Sequence, residues 1–201
     1  MNTAHVKSYT APELDRREIL RYMGAKSLDE NLSSLVDECI SESLSVTSYK
    51  VCYMELPVKT EGACTDLGFT KTESKSLLRT LSGCDRIILF AATLGLAADR
   101  LIMRYSSTNP TKALVLDAIF TERIEALCDA FCKDIEAEYK SFGREVLPRF
   151  SAGYGDFPLE AQRDIFAALS PEKRIGLSLN GTLLMTPRKS VTALVGIKKQ
   201  G

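Results

Sequence analysis

Residues 147–158 combine side chains that can bind a small molecule with a backbone that cannot form a helix. The stretch holds two prolines, two glycines, one arginine and three aromatic residues. Proline lacks a backbone donor and glycine favours turns, so the N–H and carbonyl groups here need partners outside a helical ladder. Arg149 offers a rigid fork of donors that suits a carboxylate, and Tyr154 offers a flat ring with a polar tip. Two interpretations stay open: a site for a small molecule carrying a carboxylate and a ring, or a structural loop whose arginine pairs with a glutamate.

Residue types that carry catalysis are scarce in this chain. His5 is the only histidine, and we expect it in a frayed terminus, which disfavours a Ser-His or Cys-His dyad. The chain has no G-x-S-x-G, Walker, H-E-x-x-H or EF-hand motif, and the strand–glycine–helix corner at Gly95 lacks the glycines of a phosphate cradle. We therefore predict no catalytic residue. A ligand-binding or accessory protein is favoured over an independent enzyme.

Six cysteines are scattered along the chain, and none forms a Cys-x-x-Cys pair. Cys128 and Cys132 are four residues apart on a helical pattern, so they share a helix face and could in principle bind a metal. With the single histidine far away in sequence, we predict reduced, buried thiols and no metal site.

Composition and charge narrow the class of protein. The 201 residues predict a single domain, and 26 basic residues balance 26 acidic ones, which argues against a nucleic-acid partner. No apolar run has the length of a signal peptide or a membrane span, so we expect the cytosol and no membrane partner. Residues 173–201 contain six basic residues and no acidic one, which favours an acidic partner.

Periodicity predicts the elements that must position these residues. Residues 1–46 form an N-terminal helical segment, with helices capped by Thr10 and by Ser27, the second opening at Leu28. Residues 47–201 form a core that contains a sheet, with strands expected at residues 47–58, 63–69, 85–92 and 190–197. The continuous apolar run of residues 85–92 predicts the central strand. The uneven spacing of strands predicts an α+β fold with a small, mostly antiparallel sheet packed by helices.

The longest predicted helix opens at Asn109 and runs to about residue 142. One stripe of it is apolar and should be buried: Phe120, Ile124, Leu127, Cys128, Phe131 and Ile135. Asp129 lies off that stripe, in line with Glu122 and Glu125, where a carboxylate is normally solvated.

The pattern R-x-x-x-G-Y at Arg149 to Tyr154 resembles the S-adenosylmethionine-binding signature of the activation domain of cobalamin-dependent methionine synthase. Further positions look like the family's landmarks at similar spacing. They are Pro158, Glu172, Lys173, Gly176, Met185, Pro187, Ser190 and Val191 downstream, and the segment from Cys128 to Phe131 upstream. A short motif alone arises by chance, but several ordered landmarks make the resemblance more specific.

The resemblance implies a free-standing version of that domain, with a central antiparallel sheet. It would bind S-adenosylmethionine and close over the cobalamin held by a partner, methionine synthase or its corrinoid domain. An electron from a flavodoxin-like donor and the ligand's methyl group would then convert the oxidised, inactive cob(II)alamin back to methylcobalamin. The implied binding residues are Asp129 for the ammonium, Arg149 for the carboxylate and the backbone of residues 150–154 for the adenine, while Tyr154 would either cover the ligand or face the corrin. By residue, the binding set is Asp129, Arg149, Phe150, Ser151, Ala152, Gly153 and Tyr154.

The sequence also departs from the family pattern. Gly155 stands where a proline often follows the Gly-Tyr pair, and we expect it to loosen the loop. A further acidic ligand residue of fused members has no evident counterpart in the N-terminal segment. Two alternatives stay open: an activator of another corrinoid-dependent methyltransferase, and an interaction module that has lost the ligand.

Overall fold

The computed structural model describes residues 3–25, 27 and 29–200. The helices are α1 (Arg16–Met23), α2 (Glu30–Val46), α3 (Lys75–Thr80), α4 (Leu96–Ser106), α5 (Pro110–Lys140), α6 (Ala161–Leu169) and α7 (Pro171–Ile175). The strands are β1 (His5–Tyr9), β2 (Tyr49–Pro57), β3 (Lys59–Glu61), β4 (Cys64–Asp66), β5 (Lys71–Thr72), β6 (Cys84–Thr93), β7 (Ser178–Leu179), β8 (Met185–Thr186) and β9 (Ser190–Lys198).

A four-stranded antiparallel sheet in the order β1-β2-β6-β9 forms the centre of the molecule. The apolar run predicted as the central strand is β6, whose residues from Ile87 to Thr93 are all buried. Such a run suits a strand that is covered on both faces. The predicted α+β class with a small antiparallel sheet packed by helices is therefore confirmed.

The sheet separates two hydrophobic cores, because side chains alternate along each strand. Helices α1, α2, α4 and α5 cover one face, on which Phe90 and Val195 lie. Helices α3, α6 and α7 cover the other face together with Phe157, which comes from the loop of residues 147–158. Each layer therefore has its own core, and β9 is one of the two edge strands of the sheet.

Helix α5 forms as its sequence predicts. Asn109 caps it by accepting a hydrogen bond from the Lys112 N–H at 3.0 Å, and Pro110 occupies the first turn. Every residue of the predicted apolar stripe is buried. The helix spans 31 residues, so its exposed side can present several carboxylates along one line.

The N-terminal segment differs from its prediction. Residues 5–9 form strand β1, so His5 does not lie in a frayed segment: Lys7 Nζ and Tyr9 Oη both donate to Asp134 of α5, each at 2.6 Å. Helix α1 starts at Arg16 and is capped by Asp15 rather than by Thr10. The reason lies in helix α5. The side chain of Arg123 donates to the Pro12 and Glu13 carbonyls at 2.6 and 2.8 Å, so these carbonyls are used outside a helix.

Helix α2 begins at Glu30 with Asp29 as its cap, so Ser27 is not the capping residue. The predicted opening position, Leu28, lies outside the described residues. The strands predicted at residues 47–58, 85–92 and 190–197 are confirmed as β2, β6 and β9. Only Cys64–Asp66 of the predicted strand at residues 63–69 is extended, and it belongs to a separate three-stranded sheet with β3 and β5. Within the described ranges, no helix combines the length and hydropathy that crossing a bilayer requires.

Candidate functional site

A cleft of about 410 Å³ lies beside the edge strand β9. Its walls come from both layers of the molecule: Glu125 from α5, Arg149 to Ala152 and Tyr154 from the loop, Gln162 from α6, Met185 from β8, and Ser190 to Thr192 from β9. Roughly 300–1,000 Å³ is the usual size of a site for a small molecule. The structure therefore places a ligand-sized cleft beside Arg149 and Tyr154.

Arg149 is paired with acids of α5, but only through one of its nitrogens. Its Nη2 donates to Glu125 Oε2 at 2.5 Å and lies 3.2 Å from Asp129 Oδ1. The pairing of the loop arginine with a glutamate, one of the two interpretations of the sequence, is thus observed. No described residue accepts a hydrogen bond from Nε or Nη1, and the side chain is 28% exposed. A guanidinium has five N–H donors, so this one retains capacity for a further anion.

The electrostatics of the site keep this guanidinium charged. Burial alone would lower the pKa of Arg149, but the carboxylates of Glu125 and Asp129 beside it leave the pKa raised above its ordinary value. The cation is therefore present at every physiological pH, and an anionic ligand would always find it.

The two carboxylates near Arg149 occupy different places. Glu125 lines the cleft, and its side chain is 39% exposed. Asp129, one helical turn further along α5, is 61% exposed and lines a neighbouring groove between α1 and α5 instead. The predicted acidic binding residue Asp129 thus contacts Arg149 from outside the cleft, while Glu125 occupies the wall. The sequence signal for Glu125 was its position four residues before Asp129, on the same face of the helix.

The backbone of residues 150–154 is largely paired, contrary to expectation. Phe150 N–H and carbonyl exchange hydrogen bonds with Leu194 at 2.8 and 2.9 Å, forming a bridge to β9. Gly153 N–H donates to the Phe157 carbonyl at 2.9 Å, and the Tyr154 N–H donates to the Ser151 carbonyl at 3.2 Å. Loop groups left over from helix and sheet have found one another in tight turns, as buried backbone groups must.

The remaining loop residues of the predicted set divide between wall and support. Ser151 and Ala152 line the cleft, and the ring of Tyr154 stands at it while 66% exposed. Gly153 is not a wall residue. Its φ of 90° is a conformation that glycine tolerates and side chains resist, so it serves the turn. Whether these residues bind a ligand stays a prediction.

The loop is fastened to α3 by Asp156. Its carboxylate accepts hydrogen bonds from Ser74 Oγ at 2.6 Å and from the N–H groups of Lys75 and Ser76 at 2.8 and 3.0 Å. The Ser74 hydroxyl and these amides hold the pKa of Asp156 far below its usual range. Gly155 fits the same junction, since a Cβ there would lie 2.6 Å from Ser76 Oγ at a φ of 57°. The missing side chain of Gly155 therefore allows the close approach of the loop to α3, and the loosening expected from Gly155 stays a prediction.

The edge of β9 supplies backbone groups that the loop does not. On the outer side of this strand, Leu194 pairs with Phe150 and Gly196 accepts from Leu147. Outward-facing backbone groups alternate along an antiparallel strand, so those of Thr192 face the same side. At Thr192 the loop no longer pairs with β9, and no described residue forms a hydrogen bond with the outward-facing N–H and carbonyl of Thr192. Thr192 therefore offers one N–H donor and one carbonyl acceptor to the cleft, which the sequence analysis missed because it did not identify the edge strand.

All six cysteines are free thiols, as predicted. The prediction that they are buried is confirmed for Cys39, Cys52, Cys84 and Cys128 and is wrong for Cys64 and Cys132, which are partly exposed. Burial raises the pKa of the Cys132 thiol to about 11, so it stays protonated and unreactive near neutral pH. Among the residues that the structure describes, no three His, Cys, Asp or Glu side chains converge as a metal site would require.

Comparisons with known proteins bear on the fold. No family model matches the chain, and no curated protein matches it. Among solved structures it is similar to the MetH reactivation domain, which was crystallised bound to AdoHcy (S-adenosylhomocysteine). The TM-score is 0.71 at 16% sequence identity, over 96% of this chain and 78% of that chain. At this identity the similarity speaks for the fold, and the chain accordingly has the activation-domain-like fold that its motifs resemble.

Proposed function

We propose that the chain binds S-adenosylmethionine in the cleft at the β9 edge. The observation that carries this proposal is Arg149, a charged guanidinium with unused donors, in a ligand-sized cleft. The fold supports it, since the similar MetH domain was solved with AdoHcy, the product form of the same ligand. The donor set also fits, because the ligand carries a carboxylate, an ammonium and an adenine ring.

Each end of the ligand has a matching group in the cleft. Arg149 holds the carboxylate through Nε and Nη1, as charge-assisted pairs favour. Glu125 accepts a hydrogen bond from the adjacent ammonium and keeps its bond to Arg149. Its carboxylate is then shared between two cations. The Thr192 N–H and carbonyl face the adenine edge, where an acceptor nitrogen lies beside an amino donor. Tyr154 closes over the bound molecule, because its exposed ring stands at the cleft.

The wider proposal is an accessory role in reductive reactivation of the cobalamin cofactor of methionine synthase. When bound, S-adenosylmethionine supplies an electrophilic methyl group on a sulfonium. The residues of this chain bind that ligand, orient it through Arg149 and Glu125, and keep its reactive end near the exposed mouth. The cobalamin is held by the partner, methionine synthase or its corrinoid domain.

The surface around the cleft supports docking of such a partner. Tyr154 lines the cleft and is 66% exposed, and Leu184, also 66% exposed, precedes the cleft residue Met185. Leu159, which lies close to Gly153, is exposed as well. Apolar side chains grouped around a ligand cleft are typical of an interaction surface.

A flavodoxin-like electron donor is the second proposed partner. It would approach the exposed basic residues Lys173, Arg188 and Lys199, whereas Lys189 and Lys198 already pair with Asp117 and Glu145.

Titration calorimetry with S-adenosylhomocysteine and S-adenosylmethionine tests the binding. Arg149→Ala should weaken binding by about 2–5 kcal/mol, because it removes a charged partner from the carboxylate. Arg104→Ala is the matched control, since Arg104 is 70% exposed, lies 3.9 Å from Glu42 and does not line the cleft. Equal affinities of the two variants would remove Arg149 from the site, and absence of binding by the wild type would refute the proposal.

A reactivation assay tests the wider role. Adding the protein, S-adenosylmethionine and a reductant to an oxidised synthase that lacks its own activation domain should restore methyl transfer to homocysteine. The Arg149→Ala variant should not. Restoration by both proteins, or by neither, contradicts the accessory role even if the ligand binds.

A further inference from the structure

We propose that the side-chain amide of Gln162 reads the exocyclic amino group of the ligand's adenine and makes the cleft selective for it. This inference rests on the proposed function. It assigns a specificity role to a residue outside the R-x-x-x-G-Y motif, on a different element and in the other layer of the molecule.

Gln162 is an unsatisfied polar group in the cleft wall. It lies in the first turn of α6 and is 7% exposed, yet its Oε1 is buried without a hydrogen-bond partner among the described residues. It lines the same cleft as Arg149. Buried polar atoms nearly always have a partner, because leaving one unpaired is destabilising. Its helix neighbours Ala161 and Ile165 are core residues, so packing alone favours an apolar side chain here.

The position of Gln162 decides which donor of the ligand it meets. Donors on S-adenosylmethionine are the ammonium, the ribose hydroxyls and the adenine amino group. The ammonium sits on the same carbon as the carboxylate, so Arg149 and Glu125 on the α5 side hold both. Gln162 comes from the α6 layer on the other side of the sheet. The adenine is the end of the ligand farthest from the amino acid, and it therefore reaches Gln162.

The chemistry of the amide matches one edge of adenine. A glutamine can accept from the adenine amino group through Oε1 while its Nε2 donates to the ring nitrogen N7. The amino group has two hydrogens, so Thr192 can accept the second one on the other edge. A hypoxanthine ring has a carbonyl oxygen at the same position, which would face the Gln162 oxygen. The amide therefore discriminates against the deaminated base.

A cycle between protein and ligand tests the contact. Calorimetry compares the wild type and Gln162→Met, each with S-adenosylhomocysteine and with its analogue in which purine, lacking the amino group, replaces adenine. Methionine has a similar length and no polar end. In the wild type, loss of the amino group should weaken binding by at least about tenfold, and this penalty should be about tenfold smaller in Gln162→Met. The same penalty in both proteins overturns the inference.

The outcomes separate this inference from the function on which it rests. No binding of S-adenosylhomocysteine by the wild type overturns both. Binding that depends on Arg149, with a penalty independent of residue 162, overturns only the adenine contact. A second measurement needs no variant: the side-chain amide resonances of Gln162 in ¹⁵N-labelled wild type should shift with S-adenosylhomocysteine much more than with the purine analogue. Equal shifts contradict the proposal.

Discussion

Arg123 and Arg149 both pair with a glutamate of helix α5, but they do so in opposite ways. Arg123 is fully buried and uses all three nitrogens: Nε and Nη2 on Glu122 at 2.5 Å, and Nη1 and Nη2 on the carbonyls of Pro12 and Glu13. Arg149 is partly exposed and, toward the residues that the structure describes, uses Nη2 alone. A saturated guanidinium holds a chain segment in place, whereas an unsaturated one beside a cleft retains the capacity to bind. The number of unused donors, more than the presence of an ion pair, separates the two roles.

The largest expected effect is at the saturated arginine. Arg123→Met should lower the free energy of unfolding by about 3–5 kcal/mol, because it leaves the buried Glu122 carboxylate without its cation. Urea denaturation measures this loss. The double variant Arg123→Met with Glu122→Leu should recover part of it, since the unpaired charge is gone. A loss below about 1 kcal/mol in the single variant would contradict the structural role of Arg123.

The next effect separates the two acids beside Arg149. Glu125→Gln should weaken S-adenosylhomocysteine binding by about 1.5–3 kcal/mol, because Glu125 lines the cleft and can accept from the ammonium. Asp129→Asn should change affinity by less than about 1 kcal/mol, since Asp129 is solvated. Calorimetry on the two variants compares them directly. The reverse order would favour Asp129, the residue that the family resemblance implies.

A smaller effect is expected for the stability of the Arg149 variant. Arg149→Ala should change the free energy of unfolding by less than about 1 kcal/mol, because its pairs with Glu125 and Asp129 are partly exposed to water. Urea denaturation of this variant beside Arg123→Met provides the contrast. A loss as large as that of Arg123→Met would make Arg149 a structural residue and weaken the proposed site.

The smallest effect concerns the junction that fastens the loop to α3. The pKa of Asp156 is lower in the folded chain than its unfolded value of about 4, so its stabilisation is present above that pH and is lost as pH falls below it. Asp156→Asn should therefore lower the Tm at pH 7, and the difference from wild type should shrink towards pH 2. Thermal unfolding at both pH values measures it. A Tm difference that does not depend on pH would exclude the carboxylate as the cause.

Local patterns were enough to predict much of the fold. The apolar run of β6, the Asn109–Pro110 start of α5 and the buried stripe of that helix follow from periodicity and capping, which act over a few residues. Strand β1 and the extended segment before α1 could not be predicted in this way. They depend on Asp134 and Arg123, more than a hundred residues away along the chain.

The site shows the same division. Arg149 and Tyr154 were recognisable from residue type and motif, and both line the cleft. That Glu125, Thr192 and Gln162 also line the cleft could not be predicted, because α5, β9 and α6 meet only in the folded chain, at one edge of the sheet. Side-chain type gave no warning for Thr192, whose relevant groups belong to the backbone.

The position of the cleft across the boundary of two cores has a mechanical consequence. The layers on the two faces of the sheet share few side-chain contacts except through the strands themselves. A ligand bound at one end by residues of α5 and at the other by a residue of α6 would link the two layers. Local unfolding of either layer would then require release of the ligand. Hydrogen exchange of backbone amides should therefore become slower in both layers once the ligand is bound.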